Sequence, residues 1–169
     1  MVTKTLTAVG AVLAVVVMLV GPSVHAIEQR PMLTLKEANK MADACEAFAK
    51  KKGWRPVNIA IVDSGGNLKL FRRQDDAFIG SIDIAQLKAN SSSKIPVPTR
   101  ALGDKLAYKN PNRPHGIQFV PGIAVFPGGL PIKMADGKLV GAIGVSGATS
   151  DQDEECAQAG INAIAGKLK

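Results

Sequence analysis

Apolar residues follow two different rhythms along the chain. Ala38, Met41, Ala42, Cys45, Phe48 and Ala49 recur at three- and four-residue steps, which places them on one face of a helix. Thr34-Leu35-Lys36-Glu37 supplies a capping box ahead of it. Lys50-Lys51-Lys52 set positive charge against the negative end of the helix dipole, a solvated helix end, and Gly53 suits a left-handed cap. From Val57 the rhythm changes. Val57-Asn58-Ile59-Ala60-Ile61-Val62 is rich in β-branched residues, Ser64-Gly65-Gly66-Asn67 allows a reversal, and Leu68 to Phe71 returns as a second strand.

Ile82, Ala85 and Ala89 predict a helix over 81–93 with Ser81 as its cap, ended by Ser91-Ser92-Ser93 and Ile95-Pro96-Val97-Pro98. Thr99 caps a further short helix to about Ala107. Pro111, Pro114 and Pro121 exclude a helix between Tyr108 and Gly122, so this stretch is a long loop of the kind that often carries function. Ile123 to Phe126 is expected as a strand and Pro127-Gly128-Gly129-Leu130-Pro131 as a rigid turn. Ile132 to Met134, a turn over 135–138, and Leu139 to Val145 then form a final hairpin. Thr149-Ser150-Asp151 opens the last helix, where Asp153, Glu154 and Glu155 favour the N-terminal end, and Ala157, Ile161, Ile164, Ala165 and Leu168 give it an apolar face. Strands linked by hairpins imply an antiparallel sheet of about five strands, covered on a face by the terminal helices. The fold class is α/β in the broad sense, more narrowly α+β. If the terminal helices lie side by side, Cys45 and Cys156 share a core layer and can pair; the alternative is two buried free thiols.

The first residues change the boundaries. Lys4, the apolar run Leu6 to Val20, the break at Gly21-Pro22 and then Val24-His25-Ala26 have the form of a secretory signal peptide. The run falls short of the roughly 20 residues that span a bilayer, although an uncleaved anchor is the alternative. Residues 1–26 are therefore expected to be a leader and 27–169 one domain, periplasmic or secreted, where a disulfide is chemically permitted. Losing Lys4 with the leader takes the net charge from +7 to +6. That surplus favours anionic partners. Nucleic acid is not implied, since the basic residues are scattered and there is one Trp and one Tyr. Neither cysteine sits in a CxxC, which argues against a zinc or thioredoxin-like site.

Candidate chemistry is sparse. Arg73 and Asp75 are two apart and so point to one side of an extended strand, with Arg72 on the other. They form either a structural clamp at the sheet end or, beside Gly128-Gly129, a fork for a carboxylate, with Lys88 as a second cation. No serine sits in a nucleophile elbow and no His-Asp pairing is apparent. The glycines of Gly141 to Gly147 lie inside a strand, where they permit close backbone packing, as between protomers. Asp151, Asp153, Glu154 and Glu155 read as dipole partners more simply than as a metal site.

Several ordered blocks carry a resemblance. Val62-Asp63-Ser64-Gly65-Gly66-Asn67-Leu68, Arg73-Gln74-Asp75-Asp76-Ala77, Gly80-Ser81-Ile82-Asp83-Ile84-Ala85 with Lys88-Ala89, Pro127 to Ile132, Gly141 to Gly147 and Asp151 to Gly160 resemble the GlcG/HbpS family, also called the haem-degrading or DUF336 domain. The likeness runs over about residues 33–168. It implies a PAS- or profilin-like domain, a central antiparallel sheet flanked by helices, often assembled into oligomers. Some members are exported haem-binding proteins, one branch is the C-terminal domain of a corrinoid-related protein, and another accompanies glycolate utilisation. The expected ligand-facing set is Arg73, Asp75, Ser81, Lys88, Arg113, Gly128, Gly129 and Pro131. His115 is the candidate haem axial ligand, with Arg113 for a propionate; Tyr108, Met134 and Lys88 are substitutes. The N-terminal histidine of haem-ligating members has no counterpart within 27–50.

The resulting expectation is an exported, non-catalytic protein that binds a small anionic ligand, haem first and otherwise no cofactor. It would form a homo-oligomer, with no nucleic acid partner and no membrane contact once the leader is gone. One alternative is an accessory protein of a periplasmic oxidation pathway that holds a small hydroxy or keto acid, or a partner protein. Another is an enzyme acting on such an acid through Arg73 or Lys88.

Overall fold

The computed structural model describes residues 30–107 and 116–169. The expected leader, Tyr108, Arg113 and His115 lie outside the described residues. The chain divides into two units, Met1–Arg30 and Pro31–Lys169. The elements of the second unit are α1 (Leu35–Lys51), β1 (Asn58–Asp63), β2 (Leu68–Arg73), α2 (Gly80–Lys94), α3 (Thr99–Leu102), β3 (Gly129–Lys133), β4 (Leu139–Ser146) and α4 (Ser150–Ala163). A π turn (Gly103–Ala107) follows α3, and short 3-10 turns cover Ile117–Phe119 and Ala165–Lys167.

The strands form one antiparallel sheet in the order β2-β1-β4-β3. Strand alternation divides β1 between two layers. Ile59 and Ile61 point into the main core, where Met41, Ala42 and Cys45 of α1 meet Ile143 and Val145 of β4 and Cys156 and Ala157 of α4. Each fully buried isoleucine contributes about 1.5–3 kcal/mol. Ala60 and Val62 point the other way, onto Ala85 and Ala89 of α2 and Ala142 of β4. This second layer is thin because its side chains are small. A Cβ on Gly144 would run into Ala85 O and Ala89 N, so the glycine lets the α2 backbone lie directly on β4. The neighbour for which that glycine makes room is the chain's own helix.

Thr34 caps α1, its hydroxyl accepting from Glu37 N at 3.4 Å. Thr149 caps α4 in a full capping box whose other half is Gln152. Three local expectations are corrected. The sheet has four strands, not about five, because residues 123–126 do not pair with a neighbouring strand: Ala124 N donates to the Ser91 hydroxyl of α2 at 2.7 Å. The Pro127–Pro131 turn is shorter than expected, since Gly129, Leu130 and Pro131 already belong to β3, an edge strand and so able to accept a residue without an N–H. Ser81 lies inside α2 and does not cap it; its hydroxyl donates to Phe78 O at 2.7 Å and accepts from the Asn58 amide.

Helices α1 and α4 lie side by side, and Cys45 and Cys156 are joined, their Cα atoms 4.6 Å apart and 111 residues apart in sequence. The bond ties the first helix to the last. Denatured but unreduced protein should therefore show no free thiol by thiol counting, and two would contradict the pairing. The Cys45→Ala/Cys156→Ala protein should lose about 2–5 kcal/mol in denaturant unfolding, as removal of a native disulfide from a small domain typically does.

Candidate functional site

Helix α2 aims Lys88 down at the sheet beside Ala85 and Ala89, and the side chain is 1% exposed. A buried ammonium must find acceptors or lose its charge. Lys88 Nζ donates to Asp153 Oδ2 at 2.9 Å and to Val145 O at 2.8 Å, and stands 5.0 Å from the centre of the Phe126 ring. Asp153, 2% exposed, uses its other oxygen to accept from Ala148 N at 3.0 Å. Burial pushes the lysine down and the carboxyl up, while their mutual attraction opposes both shifts. Gly128 closes the junction at φ +121°, where a Cβ would sit 2.6 Å from Lys88 Nζ and 2.8 Å from Val145 O. Thr99 fixes the next residue, its hydroxyl accepting from Gly129 N at 2.9 Å. The structure thus brings Lys88, Gly128 and Gly129 together, but as packed neighbours. Asp153, expected only to favour a helix dipole, is the counter-ion.

The other expected contacts lie elsewhere. Arg73 is exposed at the end of β2 and donates to Ala77 O at 3.3 Å. The clamp between Arg73 and Asp75 does not form: among the described residues Asp75 has no ion pair, and the left-handed Asp76 (φ 62°) turns the chain away directly after it. The clamping arginine is Arg72. It points to the face that α1 covers, where it bonds Asp43, Glu46 (3.2 Å) and Asn39 (3.0 Å). Ser81 belongs to the Asn58 contact, and Pro131 sits half-buried in β3. The acids at the start of α4 bind Arg100 through Asp151 and Glu154, the latter at 2.8 Å. Among the described residues, no three His, Cys, Asp or Glu side chains are placed to share a metal. No described helix is long and apolar enough to cross a membrane.

Open space lies at the other end of the main core. A cleft of about 250 Å3 is lined by Pro31, Met32, Leu33 and Thr34, by Glu37 of α1, by Met134 and Val140 of the β3–β4 hairpin, and by Ile164, Lys167 and Leu168. The backbone N–H of Ala135 donates to Leu168 O at 2.7 Å, which holds the C-terminal segment against the hairpin. Leu33, Val140 and Ile164 are buried walls, Met134 is half-buried and Met32 is exposed at the mouth. Of these residues Met134 alone stands out in the sequence as a possible ligand. Leu33 carried a signal, since an apolar residue just before a helix cap tends to staple onto the first turns, and here it joins Ala38 in the core.

Residues 33–162 match the family described as haem degrading protein HbpS-like. The chain belongs to this HbpS-like family. It is 38% identical over 137 residues to an uncharacterised 15.0 kDa protein of Citrobacter freundii, covering 80% of this chain and 94% of that one. A double mutant of HbpS from Streptomyces reticuli superposes with a TM-score of 0.72 at 37% identity, over 82% of this chain and 90% of the other. A PduOC structure solved as a haem complex superposes at 0.70 with 27% identity, over 79% and 96%. The HbpS-like match takes in the whole Lys88 junction, and it stops before Ile164, Lys167 and Leu168, which close the apolar cleft.

The junction makes a signed prediction for this HbpS-like domain. Lys88→Met removes the attraction that pulls Asp153 down and leaves the burial that pushes it up. The folded carboxyl, already raised by burial, is then pushed further above its unfolded value, so the folded state holds the extra proton and stability is lost as pH rises through the folded pKa. The variant should be destabilised by about 3–5 kcal/mol near neutral pH, with the deficit shrinking toward about pH 4. Denaturant melts at the two pH values measure this, and a deficit independent of pH would contradict it.

Proposed function

We propose that the protein is an exported binder of a small anionic ligand, that haem is this ligand, and that the chain holds haem without turning it over. Membership of the HbpS-like family, with a relative solved as a haem complex, carries the reading. Haem asks for an apolar slot, an axial ligand and a cation near its propionates. The cleft at the N-terminal end of α1 meets these needs in kind: Leu33, Val140, Ile164 and Leu168 are apolar walls, Met134 and Met32 bring thioethers, and Lys167 brings the cation. Its volume of about 250 Å3 is below the roughly 300–1,000 Å3 that encloses a drug-sized ligand. The cleft therefore suits one edge of a macrocycle, with the remainder outside. Haem supplies the iron and its electron chemistry; the residues of the chain bind, orient and shield it. His115 and Arg113, which lie outside the described residues, remain the proposed partners from the sequence.

Export belongs to the same proposal. The leader-like run Leu6 to Val20 supports it, as does the buried Cys45–Cys156 bond, because such bonds persist in oxidising compartments. Self-association belongs to it as well, and the sheet leaves β2 and β3 as edges on which a second copy can pair.

Titration of the purified protein with haemin should give a saturable shift of the Soret band at micromolar haem. Met134→Leu, which keeps the volume and removes the sulfur, should weaken binding roughly tenfold, about 1.4 kcal/mol, and His115→Ala reports separately on the proposed axial ligand. A band that stays intact in the presence of a reductant supports binding alone, whereas bleaching would overturn the non-catalytic half. No spectral change at micromolar haemin rejects the proposal.

A further inference from the structure

The C-terminal end of α1 carries a second cleft, of about 160 Å3, lined by Ala49, Lys50, Trp54, Arg55, Pro56 and Gln74. Its polar side chains, Lys50, Arg55 and Gln74, all carry hydrogen-bond donors. Lys50 and Arg55 make no ion pair among the described residues. The nearest acid on the helix, Glu46, lies one turn before Lys50 and is turned to Arg72 at 3.2 Å. Gln74 is oriented by the backbone: its Oε1 accepts from Val57 N at 2.7 Å, and Gln74 N in turn donates to Val57 O at 3.2 Å. With the amide oxygen committed, the Nε2–H2 group is the face of Gln74 left to the cleft. Trp54 is held as a wall by Gly53, whose left-handed φ of +67° turns the chain back so that Trp54 N reaches Ala49 O at 3.1 Å. Its ring meets Phe48 edge-on with centroids 5.4 Å apart, and Lys52 Nζ stands 5.9 Å from the indole centre, which adds positive charge beside the cleft and leaves one ring face for a ligand. Asp75 and Asp76 follow Gln74 in sequence but do not line the cleft.

Two cations, an oriented amide donor and an aromatic wall, with no carboxylate among them, are complementary to an anion on a flat apolar body. A guanidinium and an ammonium favour an oxyanion through charge-assisted hydrogen bonds, while the indole face favours a planar group. The volume admits a small molecule only. We propose that this cleft is a binding site for a small organic carboxylate carrying a flat or apolar substituent. The site shares no lining residue with the apolar cleft and does not depend on haem.

The chain has a single tryptophan, so its fluorescence reports on this cleft directly. Benzoate added to the haem-free protein, with excitation beyond the benzoate absorption band, should change Trp54 emission saturably, at concentrations up to about 10 mM, the range of a weak small-ligand site. Benzyl alcohol, the neutral analogue, should not do so, and inorganic phosphate should compete only weakly, since it has no body to lay on the ring. Arg55→Gln and Lys50→Gln should each weaken benzoate roughly tenfold, whereas Lys36→Gln at the far end of α1 should leave it unchanged. An absent or non-saturable response, an equal response to benzyl alcohol, or full binding in the Arg55→Gln/Lys50→Gln protein would overturn the site. Because the readout uses no haem, either site can fail without the other.

Discussion

An ammonium group buried in a protein must find acceptors for its N–H groups, and Lys88 finds two, from two different elements. Its own helix lies on one face of the sheet, Asp153 comes from α4 on the other, and Val145 O belongs to β4 between them. The pair therefore fixes how the two helical layers meet around the sheet. It also dictates the chain beside it. The ammonium takes the space in which a Cβ of residue 128 would stand, so a glycine is needed there, and Thr99 then pins Gly129 at the start of β3. Replacing such a pair by hydrocarbon is often neutral for stability, so its retention here points to geometry, the seating of β3 and α3, rather than to net binding energy.

Much of this architecture was legible in the chain. Short-range signals carry their own physics: the Thr34 cap, the reversal at 64–67 and the three- and four-residue steps of α1 all depend on neighbours within a few residues. The pairing of Cys45 with Cys156 was legible for another reason, since placing the two terminal helices side by side leaves the thiols facing one layer. Pairings across sequence that lack such a constraint were not legible. Asp153 looks like any acid at a helix start until α2 is laid over β4, 65 residues from its partner in sequence. Arg72 and Arg73 are equivalent in the strand pattern, and only the position of α1 decides which becomes the clamp. Residues 123–126 have the composition of a strand, but their backbone is taken up by a serine hydroxyl, a contact no periodicity reports.

The clefts were the least legible part, because neither is a motif. The apolar one is made by three segments remote in sequence, the lead before α1, the β3–β4 hairpin and the tail after α4, and only the packed chain brings Met134 near Leu33 and Ile164. The residues that the pattern did offer as a site, Lys88 with the glycine pair, proved to be used up by one another. The proposed ligand chemistry therefore rests on surfaces that the core leaves open.

The relation between the two clefts follows from α1. One includes Thr34 and Glu37 at its start, the other Ala49 and Lys50 at its end. Glu37 and Ala49 belong to one helix, and the steps between them at 1.5 Å per residue hold the clefts about 18 Å apart at the nearest. That is too far for one small molecule to touch both, so a cation at Lys50 or Arg55 does not serve a propionate whose ring edge lies against Met134. It is also too far for direct charge coupling across water, since the Debye length at physiological ionic strength is about 8 Å. What the sites do share is a rigid rod. Cys45 bonds α1 to α4, Arg72 ties it to β2, and its buried face fills the main core. The two clefts are then set by one helix held from three directions, which makes the two proposed sites independent in ligand and common in scaffold.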